Sequence, residues 1–131
     1  MISFDIKTNN HEEYIDISDK IKTIVKNSDV SSGICVVYTQ HTTAAITINE
    51  NADPDVQRDL IHGFKHLGFE KVSFRHMEGN SPAHLKSTLV GCSETIIIDK
   101  GSLVLGTWQG IYFCEFDGPR TRRVNVKLIS E

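Results

Sequence analysis

The chain has 131 residues, 39% apolar and 24% charged, which suits one soluble domain with a proper hydrophobic core. A net charge of −3 leaves no basic footprint, so nonspecific DNA or RNA binding is excluded as a function. The N-terminal residues lack the basic and apolar regions of a signal peptide, and no apolar run approaches the ~18 residues of a membrane span.

Ile2, Phe4 and Ile6 alternate with polar residues and predict a half-buried strand. A second short strand is expected over residues 14–17. Ser18 and Asp19 are candidate caps for a helix that carries Ile21, Ile24 and Val25 on one face. Residues 33–38 are continuously apolar and read as a central strand, with 43–48 as its neighbour. Asp53-Pro54 is a cap followed by a first-turn proline. Val56, Leu60, Phe64 and Leu67 then recur at helical spacing until Gly68.

Residues 71–75 are expected as a strand. Ser81-Pro82 repeats the cap-and-proline signal, and Gly91 ends that helix. Strands follow at 95–98, 103–105, 111–116 and 123–129, with residues 99–102 as a turn. Roughly eight strands and three helices that do not alternate regularly predict a compact, single-domain, β-rich α+β fold. Its sheets should be antiparallel or mixed and sandwich-like. Cys35, Cys92 and Cys114 are odd in number and lack CxxC spacing, so they read as reduced thiols in a cytoplasmic protein.

Several clusters carry polar groups able to do chemistry. His41-Thr42-Thr43 lies between two apolar strands. It suits metal binding, general-base work or phosphate contacts, and equally a turn held by threonine hydroxyls. Asp53 is chiefly a helix cap, whereas Glu50 has no evident structural task and stays a candidate acid, base or ligand. The richest stretch runs from His76 to His84 and contains Glu78 and Asn80. With Ser81 as cap, His84 falls near the third helical position, where free backbone N–H groups favour anions. His41, His76 and His84 together would make a three-ligand site of the catalytic-zinc type.

His62 and His66, four apart, instead read as a solvated helix face. Trp108, between Gly106 and Gly110, can stack on a flat ligand or pack in the core. Glu115 sits in a strand apolar on both faces. It must be paired, most simply with Arg120, Arg122 or Arg123, or act on a ligand. Arg120 and Arg122 could clamp a phosphate.

These segments together resemble the YjbQ family, also called the secondary thiamine-phosphate synthase family. The matching pieces are Thr39-Gln40-His41-Thr42-Thr43, Asn49-Glu50-Asn51, Asp53-Pro54, Glu78-Gly79, Pro82-Ala83-His84 with Lys86-Ser87, and Gly106-Thr107-Trp108-Gln109-Gly110. The resemblance implies a compact α+β domain assembled as a homotrimer with pockets near subunit boundaries. It also implies activity of thiamine-phosphate synthase type, joining a pyrimidine methyl diphosphate to a thiazole phosphate and releasing pyrophosphate.

Under that reading Glu50, Glu115 and His84 are catalytic, and Thr42, Thr43, Asn80, Lys86, Trp108 and Arg120 bind the phosphorylated substrate. His41, His76 and His84 hold a divalent metal, zinc or magnesium. Two further readings stay open: a zinc-dependent hydrolase with Glu50 or Glu115 as base, and a metabolite-binding trimer without catalysis.

Overall fold

A computed structural model describes all residues, 1–131. Its elements in chain order are β1 (Ile2–Lys7), β2 (Glu13–Asp16), α1 (Ser18–Lys26), β3 (Gly33–Tyr38), β4 (Ala44–Glu50) and α2 (Pro54–His66). A 3-10 turn (Phe69–Lys71), α3 (Ser81–Val90), β5 (Ser93–Asp99), β6 (Ser102–Leu103), β7 (Gln109–Glu115) and β8 (Thr121–Ser130) complete the chain. The strands form a five-stranded sheet in the order β1-β8-β3-β5-β6 and a three-stranded sheet in the order β2-β7-β4. Every pairing is antiparallel, so of the two expected sheet types only one occurs.

Period-two patterning builds the layers. Ile6, Val37, Ile96, Val124 and Val126 of the large sheet meet Ala44, Ile46, Ile111 and Phe113 of the small one, and α1 adds Ile21 and Val25. The intervening residues of the small sheet, Ala45, Tyr112 and Cys114, point the other way and pack with Phe116 and with Ala83 of α3. Phe64 of α2 meets Phe116 edge to face at 6.0 Å between ring centroids. β7 is therefore buried on both faces, as its unbroken apolar sequence implied. No helix is long and apolar enough to cross a membrane.

Four local expectations change. Residues 43–48 are not the neighbour of 33–38: β4 pairs with β7 in the small sheet, while β3 lies between β8 and β5 in the large one. Residues 71–75 are not a strand: after the 3-10 turn the chain runs as an irregular loop to Asn80. Val72 and Phe74 have no strand to pair with and are 54% and 40% exposed, so apolar alternation had no sheet to bury it. Ser18 does not cap α1. It is the first helical residue, and its hydroxyl accepts the Ile111 N–H at 2.8 Å, tying the helix to β7. Ser81 does not cap α3 either; Asn80 occupies that position, without a side-chain capping bond. Asp53 does cap α2, accepting the Asp55 N–H at 2.9 Å.

Candidate functional site

The end of the sandwich where β4 and β8 begin and β7 ends is polar. Here β7 finishes on Glu115 and β8 starts on Thr121, so that Glu115 and Arg122, the second residue of β8, fall in phase with the core. Glu115 shares the core-facing side of β7 with Ile111 and Phe113, and Arg122 shares that side of β8 with Val124 and Val126. The two sheets thus press a carboxylate and a guanidinium together, with Glu115 0% and Arg122 3% exposed. Arg122 grips Glu115 through two parallel bonds, Nε to Oε2 at 2.7 Å and Nη2 to Oε1. Glu115 also accepts from the Thr8 hydroxyl at 3.0 Å and the Asp117 N–H at 2.9 Å. Its lone pairs are committed to the fold, so it is a positioning residue for Arg122 and not a free base.

Arg122 also donates to the Thr43 hydroxyl at 2.9 Å. Its Nη1 has no protein partner, and the side chain lines a cleft of about 470 Å3. No apolar residue lines this cleft. Gln40, His41, Thr42 and Thr43 of the β3–β4 loop form one wall, and Arg120 and Arg122 the floor. The opposite wall comes from His76, Glu78 and Asn80 of the long loop and from His84 of α3. That loop is latched to the β7–β8 turn: the Asn80 amide donates to Glu78 and to Asp117, each at 2.8 Å. Asp117 in turn holds Arg120 at 3.0 Å. Asn80 Oδ1 is the one buried side-chain oxygen or nitrogen without a partner, so this wall is the least satisfied part of the site.

The histidines meet in one cleft, as their sequence clustering suggested, but not as a metal cage. The His76 and His84 rings pack edge to face, 5.4 Å apart. His41 Nε2 accepts the Arg123 backbone N–H at 2.9 Å, which leaves the proton of the neutral ring on Nδ1. Metal ligation through Nδ1 would move that proton to Nε2, directly against the Arg123 N–H. Burial, then the nearby Arg122 charge, hold the His41 imidazole below its usual pKa, outweighing the opposite pull of Glu115. Nowhere in the chain do three His, Cys, Asp or Glu side chains converge as a metal ion would need. The expected three-histidine set therefore does not fit a zinc ion here. Glu78 is the only carboxylate lining the cleft, too few for a magnesium site built from protein carboxylates.

The anion-binding role expected of the α3 N-terminus is also weakened. Pro82 has no N–H, and the Ala83 and His84 N–H groups both donate to the Asn80 carbonyl. His84 is the fourth helical residue, one turn in.

Three further sequence candidates lie elsewhere. Lys86, 1% exposed, is held behind α3 by Glu12 and, at 2.7 Å, by Glu70, so it is a structural cation and not a phosphate ligand of this cleft. Glu50 ends β4, roughly 20 Å from Ala44 at ~3.3 Å per residue, outside the cleft. Trp108, 61% exposed, sits beside it, its carbonyl accepting the Asn51 N–H at 2.8 Å. The glycine pattern around it is explained by packing: a Cβ on Gly110 would come within 2.7 Å of the Asn51 side chain. His62 and His66 are exposed on α2, as expected.

Sequence reasoning missed Gln40 as a wall residue, and the Glu12–Lys86–Glu70 cluster altogether. Arg122, expected as a partner of Glu115 or a phosphate clamp, is the arginine that pairs with Glu115, because it alternates in phase with Val124 and Val126 on the core-facing side of its strand.

The comparisons with known proteins agree with this architecture. The family model described as "UPF0047 protein YjbQ-like" matches residues 2–131. The UPF0047 protein MJ1081 of Methanocaldococcus jannaschii is 54% identical over 131 residues, covering 100% of this chain and 95% of the relative. The UPF0047 protein YugU of Bacillus subtilis is 50% identical over 125 residues, covering 95% of each. A crystal structure of a YjbQ/UPF0047-family protein from Clostridium acetobutylicum superposes with a TM-score of 0.96 at 53% identity, covering 98% of this chain and 100% of that one. A YbjQ-like protein from Sulfolobus solfataricus gives 0.95 at 33% identity, covering 99% and 96%. Sequence match along the whole chain and a shared two-sheet architecture lead to one conclusion: this chain belongs to the YjbQ-like UPF0047 family.

Proposed function

We propose that the cleft binds the phosphate of a small phosphorylated metabolite. The observation that carries this is the preset Arg122, fixed by Glu115 and Thr43 with Nη1 left free, in a cleft whose lining is entirely polar. A guanidinium held before the ligand arrives loses little entropy on binding, and the low-dielectric floor strengthens its attraction for an anion. Arg120, the Thr42 hydroxyl, the Gln40 amide and the imidazoles supply the further donors a phosphate accepts from.

Isothermal titration with sodium phosphate tests this. Arg120→Ala should weaken binding by about five- to tenfold, the worth of one charge-assisted contact. Arg58→Ala, on the exposed face of α2, should leave it unchanged. Absence of binding, or equal losses in both variants, would sink the reading.

The reaction we assign to this pocket is transfer of thiamine-phosphate synthase type. Attack by the thiazole nitrogen on the pyrimidine methylene forms a C–N bond. The C–O bond to the diphosphate breaks with its electron pair leaving on pyrophosphate. No protein nucleophile is needed, and the demand is charge stabilisation of the leaving group, which clustered arginines and histidines supply. Incubation with both substrates should release pyrophosphate in wild type and not in His84→Ala; equal release from both would remove the cleft from the reaction. The zinc-hydrolase reading lacks comparable support, because His41 presents a donor where a ligand is required.

A homotrimer belongs to the same proposal: it would give Glu50 and Trp108, remote from the cleft of their own chain, a neighbouring subunit to act on. A monomer in sedimentation equilibrium would refute that part.

A further inference from the structure

The polar cleft has a neighbour. A second cavity of about 520 Å3 lies on the other side of Gln40, His41, Thr42 and His84, which line both. The remainder of its wall is Tyr38, Thr39, Ser87, Thr88, Gly91 and Cys92. The contrast in chemistry between the two lobes is sharp. The first lobe carries Arg120, Arg122 and Glu78, whereas the six residues unique to the second include no Lys, Arg, Asp or Glu. Instead they offer a tyrosine ring 40% exposed, three aliphatic hydroxyl side chains and an exposed thiol, around a glycine that adds no side-chain bulk.

Both volumes lie in the range of small-molecule sites, roughly 300–1,000 Å3. β3 and α3 build the second lobe from opposite sides. Tyr38 ends the strand and Thr39 follows it, and the helix contributes Ser87 and Thr88 before it stops at Gly91. The lobe is also braced, since Ser87 Oγ donates to the Ala44 carbonyl at 2.7 Å and the Thr39 N–H donates to the Cys92 carbonyl at 2.9 Å. It is an open groove with braced walls.

We infer that the two lobes form one bipartite site for a phosphate monoester, with the phosphate against Arg122 and an uncharged, flat organic group in the lobe of Tyr38, Thr88 and Cys92. This rests on the phosphate reading of the first lobe and deepens it by locating the organic group that the phosphate carries in the second lobe. A charged organic group would lose hydration in a lobe with no counter-charge to offset it, whereas a ring loses little and gains contact with Tyr38. The shared wall of His41 and His84 places both imidazoles beside the junction of the two parts of the ligand.

The test uses sodium phosphate and phenyl phosphate as probes on the full chain. Phenyl phosphate should bind roughly tenfold more tightly than inorganic phosphate, the gain expected from burying part of one ring. Saturating phenyl phosphate should slow alkylation of Cys92 by N-ethylmaleimide several-fold, and saturating inorganic phosphate should not. Cys35 and Cys114 are buried and will not compete for the reagent. Thr88→Trp, on an exposed helical position, should fill the lobe and bring the affinity ratio of the two probes close to one.

If inorganic phosphate binds but phenyl phosphate binds no tighter and leaves the Cys92 rate unchanged, the second lobe is not part of the site and only this inference falls. If neither probe binds, the phosphate reading falls with it.

Discussion

Replacing Glu115 by Gln tests whether that residue holds Arg122 or performs chemistry itself. The pair is almost wholly buried, at 0% and 3% exposure, with only the edge of Arg122 reaching the cleft, and Glu115 receives both bonds of the guanidinium fork. Removing the charge leaves Arg122 buried without a counter-ion, a class of change that costs about 3–5 kcal/mol. Gln keeps one accepting oxygen, so the lower end, about 3 kcal/mol, is expected. At the average per-residue entropy of unfolding, 131 residues correspond to about 0.28 kcal/mol per degree, so the melting temperature should fall by about 11 °C.

Thermal and urea unfolding followed by circular dichroism would measure this. Phosphate titration on the same samples would show weakened binding, because Arg122 is no longer held in place. The double variant Glu115→Gln/Arg122→Met separates the two roles. It replaces the buried pair with less polar groups and should recover most of the stability while phosphate binding stays weak. A Glu115→Gln protein that melts within a degree or two of wild type, binds phosphate normally and yet loses turnover would refute the positioning role and restore Glu115 as a base.

Three further outcomes follow from the same electrostatics. Lys86→Met should destabilise the fold by about 3 kcal/mol, since Glu12 is 8% exposed and would keep a buried charge without its cation, and Lys86→Met/Glu12→Gln should recover much of the loss in chemical denaturation. Burial opposes the charge on Lys86, but its bonds to Glu12 and Glu70 outweigh that and raise its pKa, so its contribution is present at neutral pH and lost only as alkaline pH rises through the folded value. For Glu70, burial again opposes charge and the Lys86 bond prevails, lowering the pKa. Its contribution is present above the ordinary carboxylate range and lost as pH falls through the folded value, so a stability profile rising steadily into alkali would contradict the network. His41 should titrate below its ordinary 6.5 in proton NMR and show the Nδ1–H tautomer in nitrogen shifts; an Nε2–H tautomer would restore it as a metal-ligand candidate.

Local chemistry made much of this protein legible before folding was considered. Asp53-Pro54 marks a helix start because a capping carboxylate and a fixed φ act within one turn. The alternation of β1, the continuous apolar runs of β3 and β7, and the end of α3 at Gly91 depend on near neighbours in the same way. Residues 71–75 failed for the complementary reason: strand-like alternation needs a partner edge, and none passes there.

The candidate site divides along the same line. Clustered histidines, Thr42, Thr43, Asn80 and Arg120 could be named from their spacing and from the family pattern, and the fold does bring them to one cleft. Their roles depended on partners that the fold brings against them. Glu115 is claimed by Arg122 and Thr8, Lys86 by Glu12 and Glu70, and the His41 lone pair by the Arg123 N–H, 82 positions away. The sequence by itself determined which side chains have the chemistry to act. Only the tertiary structure decided which remain free to do so, because a hydrogen bond or ion pair to the fold uses the same lone pairs and protons that a ligand would need.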